Sequence, residues 1–223
     1  MVFTPIAEKF GVRTECQILR RGYYPKGGGE VYLKIYPVKE LSPISILEFG
    51  NLKRIYGRSF VAGHLPIDIA KRMAKTVNQE LEKIYQDIPI DIEIVKEPDH
   101  TYNGTGTGII VIAETTTGCI LAGSALGKKG ITAEAVGLEA VQQLIDDLSH
   151  EACVDQFMQD QLIIFMGLAN GVSKIKTGPL TLHTETAIHY TQLLTGAKFV
   201  VNKINSGNII ECTGIGYKNE FLV

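Results

Sequence analysis

Three consecutive glycines in the segment RRGYYPKGGGEV, residues 20–31, constrain the local fold more than any other feature of the sequence. Glycines in a row disfavour a helix and permit positive φ angles and close backbone approach. The flanking stretches TECQILR (14–20) and EVYLKIYPV (30–38) alternate apolar and polar residues, which predicts two β-strands. The segment therefore predicts a long antiparallel hairpin with a wide or bulged turn.

The same segment interleaves basic and aromatic residues, which allows a functional interpretation beside the structural one. Such a pattern can bind phosphate and stack bases, as in proteins that bind single-stranded nucleic acids. No helix is predicted after the glycines, however, so the helix N-terminus of a phosphate loop is missing. We predict a turn, with a modest RNA-contact role for Arg20, Arg21 and Lys26 around Tyr23 and Tyr24.

Composition indicates an ordinary soluble globular protein: 45% of the 223 residues are hydrophobic and 21% are charged. The formal net charge of −2 argues against bulk electrostatic binding of nucleic acid but allows a local basic groove. No apolar run reaches membrane-spanning length and no secretory signal is visible. Without a CxxC pair, a zinc site is not expected, and reduced thiols are predicted for Cys16, Cys119, Cys153 and Cys212.

Periodicity predicts a fold of the α+β class built from two-layer α/β units. A helix closed by Gly11 begins the chain. Residues 48–128 predict a small β-α-β-β-β unit, whose helix (67–86) carries an apolar stripe of Ile69, Met73, Val77, Leu81 and Ile84. The later elements are helices at 131–150, 154–170 and 184–195 and strands at 172–178, 198–204 and 208–216. The 48–128 unit is thus predicted to be inserted between 1–47 and 129–223 of a larger domain.

Two further glycine motifs suggest phosphate binding at first sight. NGTGTG (103–108) precedes a strand rather than a helix, so we predict a mobile loop there in preference to a nucleotide site. GSALGKKG (123–130) is one residue too short for a Walker A loop and has Lys129 where Ser or Thr should bind magnesium. We predict that it is a turn leading to the helix at 131–150, whose N-cap lies near Thr132.

The helices at 154–170 and 184–195 carry the candidate chemistry. Phe157, Asp160 and Gln161 share one face of a helix predicted to be buried, where a carboxylate must be paired, hydrogen-bonded or bound to a metal. His183 lies where a loop meets a helix start that Thr181 or Thr184 can cap. The positive potential there favours a neutral, nucleophilic imidazole and attracts phosphate. A purely structural role for Asp160 or His183 is the alternative.

The segment RGYYPKGGGEV resembles the signature of RNA 3′-terminal phosphate cyclases, which runs Arg or His, Gly, two residues, Pro, one residue, three Gly, one residue and an aliphatic residue. The matching positions are Arg21, Gly22, Pro25, Gly27, Gly28, Gly29 and Val31. QDQLIIFMGLANG and KTGPLTLHTETAIHY also resemble C-terminal segments of that family. The resemblance implies a core domain with one smaller inserted α/β domain, and an N-terminal part with ATP-binding arginines and glutamines upstream of the present first residue.

The resemblance also implies an activity, that of a ligase forming phosphoric ester bonds in RNA processing. A histidine attacks the α-phosphate of ATP, AMP passes to an RNA 3′-phosphate, and the 2′-hydroxyl closes a 2′,3′-cyclic phosphate. By motif position His183 is the adenylated nucleophile. Asp160 and Gln161 match the family's nucleotide-contacting pair, and Asp160 could hold Mg²⁺ or Mn²⁺. Phe157 stands where the family often has tyrosine, which preserves stacking on adenine but not a hydroxyl hydrogen bond.

Two alternatives accompany this interpretation. A catalytically inactive branch of the family acts as a binding factor in ribosome biogenesis and lacks the nucleophilic histidine, whereas His183 is present here. The chain alone could also be an inert folding unit that binds ATP poorly and exposes an apolar edge. The resemblance further implies a nuclear location, with the cytoplasm as the alternative, and RNA with a 3′-phosphate as partner, with no membrane partner.

Overall fold

The chain combines helices and strands in a computed structural model that describes residues 1–222. The helices are α1 (Phe3–Ala7), α2 (Asp68–Glu82), α3 (Ala133–Ser149), α4 (Met158–Leu168) and α5 (Leu182–Thr195). The longer strands are β1 (Arg13–Gly22), β2 (Glu30–Tyr36), β4 (Leu52–Ala62), β5 (Ile90–Lys96), β7 (Gly106–Thr115), β8 (Ile120–Leu126), β9 (Val172–Thr177), β10 (Lys198–Ile204) and β11 (Gly207–Thr213). Two-residue strands are β3 (Ser45–Ile46) and β6 (Tyr102–Asn103). This mixed α/β architecture confirms the predicted fold class.

Strands β1 and β2 form the predicted antiparallel hairpin, and their register shifts between Ile18 and Arg20 as expected for a bulge. The register sets Thr14, Cys16 and Ile18 opposite Ile35, Leu33 and Val31, so these residues share one face of the ribbon. We call it the hairpin apolar face. Nothing within the described part of the chain covers it: Ile18 is 53% and Ile35 63% exposed.

The first hydrophobic core lies in the central unit, where β5-β4-β7-β8 form a four-stranded sheet. Helix α2 buries Met73, Val77 and Leu81 against it, because these residues recur at the helical period. The predicted stripe is wrong at its last member: the helix ends at Glu82, and Ile84 is 54% exposed.

Helix α3 packs on strand β8 at very close range. A Cβ on Gly123 would overlap the carbonyl oxygen of Ala140, so only glycine admits the helix backbone there. Thr132 caps α3 by accepting a hydrogen bond from the backbone N–H of Ala135, as predicted. The apolar side of α3 joins the same core as α2. This packing favours a boundary of the central unit after Ser149 instead of at residue 128, and we propose that later boundary.

The second core lies under a sheet of order β10-β11-β9-β3, against which α1, α4 and α5 pack. The helix predicted at 154–170 begins four residues later, at Met158, and its outer side is not buried, since Ile164 is 43% exposed. The prediction of burial nearly all round is therefore wrong for that side. The reason for the late start is Asp155, whose carboxylate accepts from the backbone N–H groups of Phe157 and Met158 at 3.0 and 2.8 Å.

A short connecting segment joins the two sheets. Val154 forms parallel β-bridges with Ile120 at the start of β8 and with Thr177 at the end of β9. The carboxylate of Asp155 also accepts a hydrogen bond from the backbone N–H of Ala122, at 3.0 Å. We call residues 152–155, together with Ile120 and Ala122 of β8, the seam. The seam fixes the first turn of α4 relative to the central sheet.

Candidate functional site

The N-terminal turns of α4 and α5 lie side by side because one buried side chain joins them. Gln159, in the first turn of α4, is fully buried. Its Oε1 accepts a hydrogen bond from the Thr184 hydroxyl at 3.1 Å, and its Nε2 donates to the carbonyl of Pro179 at 3.2 Å. Pro179 lies in the loop before α5, so Gln159 holds both the loop and the helix start.

His183 is the second residue of α5 and is exposed. Thr181 caps the helix, since its side chain accepts from the backbone N–H of Thr184 at 3.2 Å. This settles which of the two predicted threonines is the cap. The imidazole borders a shallow depression of about 430 Å³ lined by Leu182, His183, Thr186, Ala187 and Tyr190. Free N–H groups in the first turn give this end of the helix a positive potential.

The other predicted site residues, Phe157, Asp160 and Gln161, lie at the start of α4. Phe157 directly precedes the helix and is 49% exposed, so its ring is accessible. Asp160 is half-buried rather than buried, so the predicted cost of an enclosed carboxylate does not arise. The arginine ion pairs within residues 1–222 all involve glutamates, so no arginine pairs with Asp160 there. Gln161 is exposed and donates from Nε2 to the carbonyl of Phe157 at 2.9 Å.

The structure thus sets His183, Phe157, Asp160 and Gln161 at two adjacent helix starts. The two residues that arrange them, Gln159 and Asp155, were not predicted from the sequence. Asp155 carried a detectable pattern, because aspartate side chains often accept hydrogen bonds from backbone N–H groups two or three residues later, where a helix begins. No local sequence pattern marked Gln159, because its hydrogen-bond partners Thr184 and Pro179 lie far from it in the sequence.

A metal or nucleotide would have to share this site with the first turns of both helices. Mg²⁺ is often held by one or two carboxylates together with substrate phosphates. Asp160 fits that role only in company with a phosphate ligand, because no cluster of three or more His, Cys, Asp or Glu side chains suited to a metal occurs within residues 1–222. The exposed Phe157 ring and the two helix N-termini are compatible with a base and its phosphates.

A buried carboxylate with a raised pKa, Asp147, lies beside this region, at the end of α3. Asp147 is 5% exposed and accepts a hydrogen bond from the backbone N–H of Gln156 at 3.2 Å. Burial raises the pKa of Asp147 from 3.8 to about 7, with the neighbouring Asp155 and Asp146 adding to the rise and His150 and the Gln156 N–H opposing it.

We expect Asp147→Asn to remove a pH dependence of stability. With a pKa raised in the folded state, the native protein binds the extra proton between about pH 4 and 7. Wild-type stability should therefore fall as the pH rises through this window, by up to about 4 kcal/mol at pH 8. Asparagine still accepts from Gln156, so urea unfolding at pH 5 and pH 8 should show a flatter profile for the variant. Equal slopes in the two proteins would contradict the assignment.

The glycine-rich segment 20–31 docks the hairpin onto the central unit. Tyr23 stacks on Phe60 at 6.1 Å between ring centroids, and burial is the main cause that raises its pKa. A Cβ on Gly106 would overlap the Tyr23 ring. The prediction of a mobile loop at NGTGTG is therefore wrong: Gly106 and Gly108 belong to strand β7, and the glycines make room for a tyrosine.

The three basic residues predicted to contact RNA have different surroundings. Arg20 pairs with Glu30 at 3.2 Å and donates from Nε to the Gly28 carbonyl. Arg21 pairs at 3.3 Å with Glu97, a buried carboxylate that also pairs with Arg58. Lys26 is exposed. None of these three residues makes a described hydrogen bond or ion pair with the residues that begin α4 and α5.

Within the turn itself, Gly22→Ala is expected to destabilise the fold more than Gly27→Ala. A Cβ on Gly22 would overlap the backbone N of Gly29 and lie 2.7 Å from the Gly27 carbonyl, so the backbone must move. Gly27 has a φ of +61° and open space around a Cβ, so only conformational strain arises. We expect losses of about 2–3 and about 1 kcal/mol in urea unfolding. Similar losses at the two positions would rule out the steric explanation.

Comparison with known proteins identifies this architecture. Residues 47–149 match the family "RNA 3'-terminal phosphate cyclase (RTC), insert domain", a range that includes α3. A Drosophila melanogaster RNA 3'-terminal phosphate cyclase is 38% identical over 99% of this chain and 62% of its own length. One from Pyrobaculum aerophilum is 37% identical over 97% of this chain and 61% of its own. A Dictyostelium discoideum protein named "Probable RNA 3'-terminal phosphate cyclase" is 41% identical over 97% of this chain and 52% of its own length.

The molecule is thus an α+β core that carries an inserted α/β domain. Over 97–99% of its length the chain is similar to proteins named RNA 3′-terminal phosphate cyclase, and residues 47–149 match that family's insert domain, as the signature at Arg21–Val31 predicted. It spans about half to three-fifths of the length of these curated relatives. Within residues 1–222, no helix has both the length and the apolar character to cross a bilayer.

Proposed function

We propose that this chain supplies the nucleophile-bearing part of an RNA 3′-terminal phosphate cyclase, with His183 as the adenylated residue. The observation that carries the proposal is the position of His183: exposed, at the start of α5, in a chain similar to proteins of this name. A neutral imidazole has a lone pair for attack, and the backbone N–H groups that begin α5 attract a phosphate group.

In the proposed reaction an imidazole nitrogen of His183 attacks the α-phosphorus of ATP. The N–P bond forms as the bond from the α-phosphorus to the bridging oxygen breaks, and pyrophosphate leaves. AMP then passes to the terminal phosphate of the RNA. The adjacent 2′-hydroxyl attacks that phosphorus, AMP leaves, and a 2′,3′-cyclic phosphate remains.

The residues that begin α4 have matching roles in the proposal. The exposed Phe157 ring offers a face on which adenine can stack, and Gln161 offers amide hydrogen bonds. Asp160 would bind Mg²⁺ or Mn²⁺ jointly with phosphate oxygens, and that ion would offset the negative charge of the triphosphate. Gln159 and Thr181 act through their neighbours, by holding the start of α5 in place.

The experiment that tests the proposal is covalent labelling by ATP. The chain, and separately a protein of the relatives' full length containing it, is incubated with Mg²⁺ and with ATP labelled at the α- or γ-phosphate. Protein-bound label from α-labelled ATP alone, stable to alkali and released by acid, is expected for an AMP–histidine. A full-length protein that stays unlabelled would overturn the cyclase proposal and favour the alternative of a catalytically inactive binding factor.

A second candidate, that the 223 residues alone are an inert folding unit, is supported by the uncovered hairpin apolar face. Ile18, Val31, Leu33 and Ile35 present apolar surface that a stable domain normally buries. In calorimetry we expect the chain alone to bind ATP more weakly than the full-length protein. Tight binding by the chain alone would contradict this candidate without affecting the assignment of His183.

RNA contact by the hairpin turn can be tested separately from adenylation. We expect Lys26→Glu, which changes an exposed charge, to weaken use of RNA by the full-length protein several-fold at low salt. Self-adenylation should be unchanged, because ATP labelling does not involve RNA. Lys53→Glu, at a lysine that pairs with Glu114 in the central unit, provides the matched control. Equal losses in the two variants would point to a general charge effect.

A further inference from the structure

Cys119 and Cys153 lie next to each other at the seam, although 34 positions separate them in sequence. Ile120 and Val154 form a parallel β-bridge, and each cysteine directly precedes one of these residues. Neighbouring backbones in a sheet run about 4.8 Å apart, and side chains in parallel register lie on the same side. A disulfide requires Cα atoms about 4.4–6.8 Å apart, so the register suits one.

Both thiols are enclosed by the same hydrophobic core. Cys119 is 2% and Cys153 1% exposed. The Cys119 sulfur lies 3.4 Å from the Glu48 carbonyl and 3.6 Å from the Thr117 hydroxyl. The Cys153 backbone is anchored by a hydrogen bond from its N–H to the Lys176 carbonyl at 2.9 Å.

The two thiols also influence each other's ionisation. A hydrogen bond from Cys153 is the main cause that lowers the pKa of Cys119 to about 6, while burial opposes it. The same interaction and burial raise the pKa of Cys153. Thiolate is the reactive form of cysteine, so Cys119 is the member of the pair suited to attack an oxidant.

We propose that Cys119 and Cys153 are an oxidation site, at which a small peroxide converts the pair to a disulfide across the seam. The Cys119 thiolate attacks one peroxide oxygen; an S–O bond forms, the O–O bond breaks, and hydroxide leaves and takes up a proton. The Cys153 sulfur then attacks the sulfenic acid of Cys119; the S–S bond forms, the S–O bond breaks, and water leaves. Two thiols and one peroxide give one disulfide and two waters.

The disulfide would tie the inserted domain to the core. Cys119 precedes β8 of the central sheet, and Cys153 belongs to the segment that leads from α3 into α4. Glu151 in that segment has a φ of +47°, an uncommon conformation for a residue other than glycine, so the turn is already held in one shape. Oxidation would add a covalent link where single β-bridges now join the sheets.

The test uses the full 223-residue chain carrying Cys16→Ser, which removes the exposed thiol and prevents links between molecules. After treatment with hydrogen peroxide, the intact mass should be lower by two hydrogens than that of the reduced chain. Alkylation under denaturing conditions should then leave Cys119 and Cys153 unmodified, and peptide mapping should link them. Dithiothreitol should reverse both results. The melting temperature of the oxidised protein should rise by roughly 5–10 °C.

Cys212 provides the matched control, since it is also buried but belongs to the other core. Cys212→Ala should retain the mass loss, whereas Cys119→Ala or Cys153→Ala should abolish it. The peptide map of the parent chain decides the question even if a variant does not fold. Cysteines 119 and 153 that stay fully alkylatable, or a link that involves Cys212, would overturn the proposal.

Discussion

A full-length protein carrying His183→Ala is expected to lose covalent labelling by α-labelled ATP, by a factor on the order of 10³ or more. Alanine has no nucleophilic atom, so the N–P bond of the proposed intermediate cannot form. Because His183 is exposed, its removal should leave the melting temperature nearly unchanged. The measurement is protein-bound label per mole after acid-free gel separation, with thermal unfolding in parallel.

His189 is the matched control for this experiment. It lies on the same helix, is also exposed and packs edge-on against Tyr190 at 5.1 Å between ring centroids. His189→Ala should therefore be labelled like the wild type. Label that survives His183→Ala would show that another group carries the AMP, and loss of label in both variants would point to a general effect on α5.

Asp155→Ala is expected to lower the free energy of unfolding by about 4–5 kcal/mol, the largest stability effect that we predict. The carboxylate is 2% exposed and accepts hydrogen bonds from Ala122, Phe157 and Met158. Alanine leaves three backbone N–H groups without this acceptor, and each unsatisfied buried donor costs about 1–3 kcal/mol. Urea unfolding at fixed pH measures the loss.

Asp155→Asn separates the two functions of this side chain. Its Oδ1 can still cap α4, but its Nδ2 cannot accept from Ala122 N–H at the seam. We expect a loss roughly half as large as that of the alanine variant. If asparagine were as damaging as alanine, the connection to Ala122 would dominate, and if asparagine had no effect, capping alone would explain the stability.

Local sequence rules predicted most of the helices and strands because their determinants lie within a few residues. Thr132 and Gly196 mark a helix start and a helix end, as their types predict. The hairpin of residues 13–36 follows from alternation and glycines. The start of α4 was predicted too early, because the apolar pattern continues through the residues that Asp155 uses for its cap.

The three glycine motifs show where sequence reasoning stops. Gly106 makes room for Tyr23, and Gly123 makes room for the backbone of α3, and each partner is contributed by a distant part of the chain. Glycines that admit a neighbouring chain resemble glycines that admit a phosphate. The catalytic candidate His183 could be found from its motif, but Gln159, which joins α4 to α5, depends on contacts that no local pattern reveals.

The hairpin apolar face has a consequence for how this protein opens in solution. Strands β1 and β2 bury little of their own surface, whereas Val61, Met73 and Leu121 of the central unit are fully enclosed. Amide protons of the ribbon should therefore exchange with deuterium through small local fluctuations, while those of β4 and β7 exchange only when the whole central sheet opens. We therefore expect a slow-exchanging body and a fast-exchanging arm, and the signature Arg21–Val31 lies where the two meet.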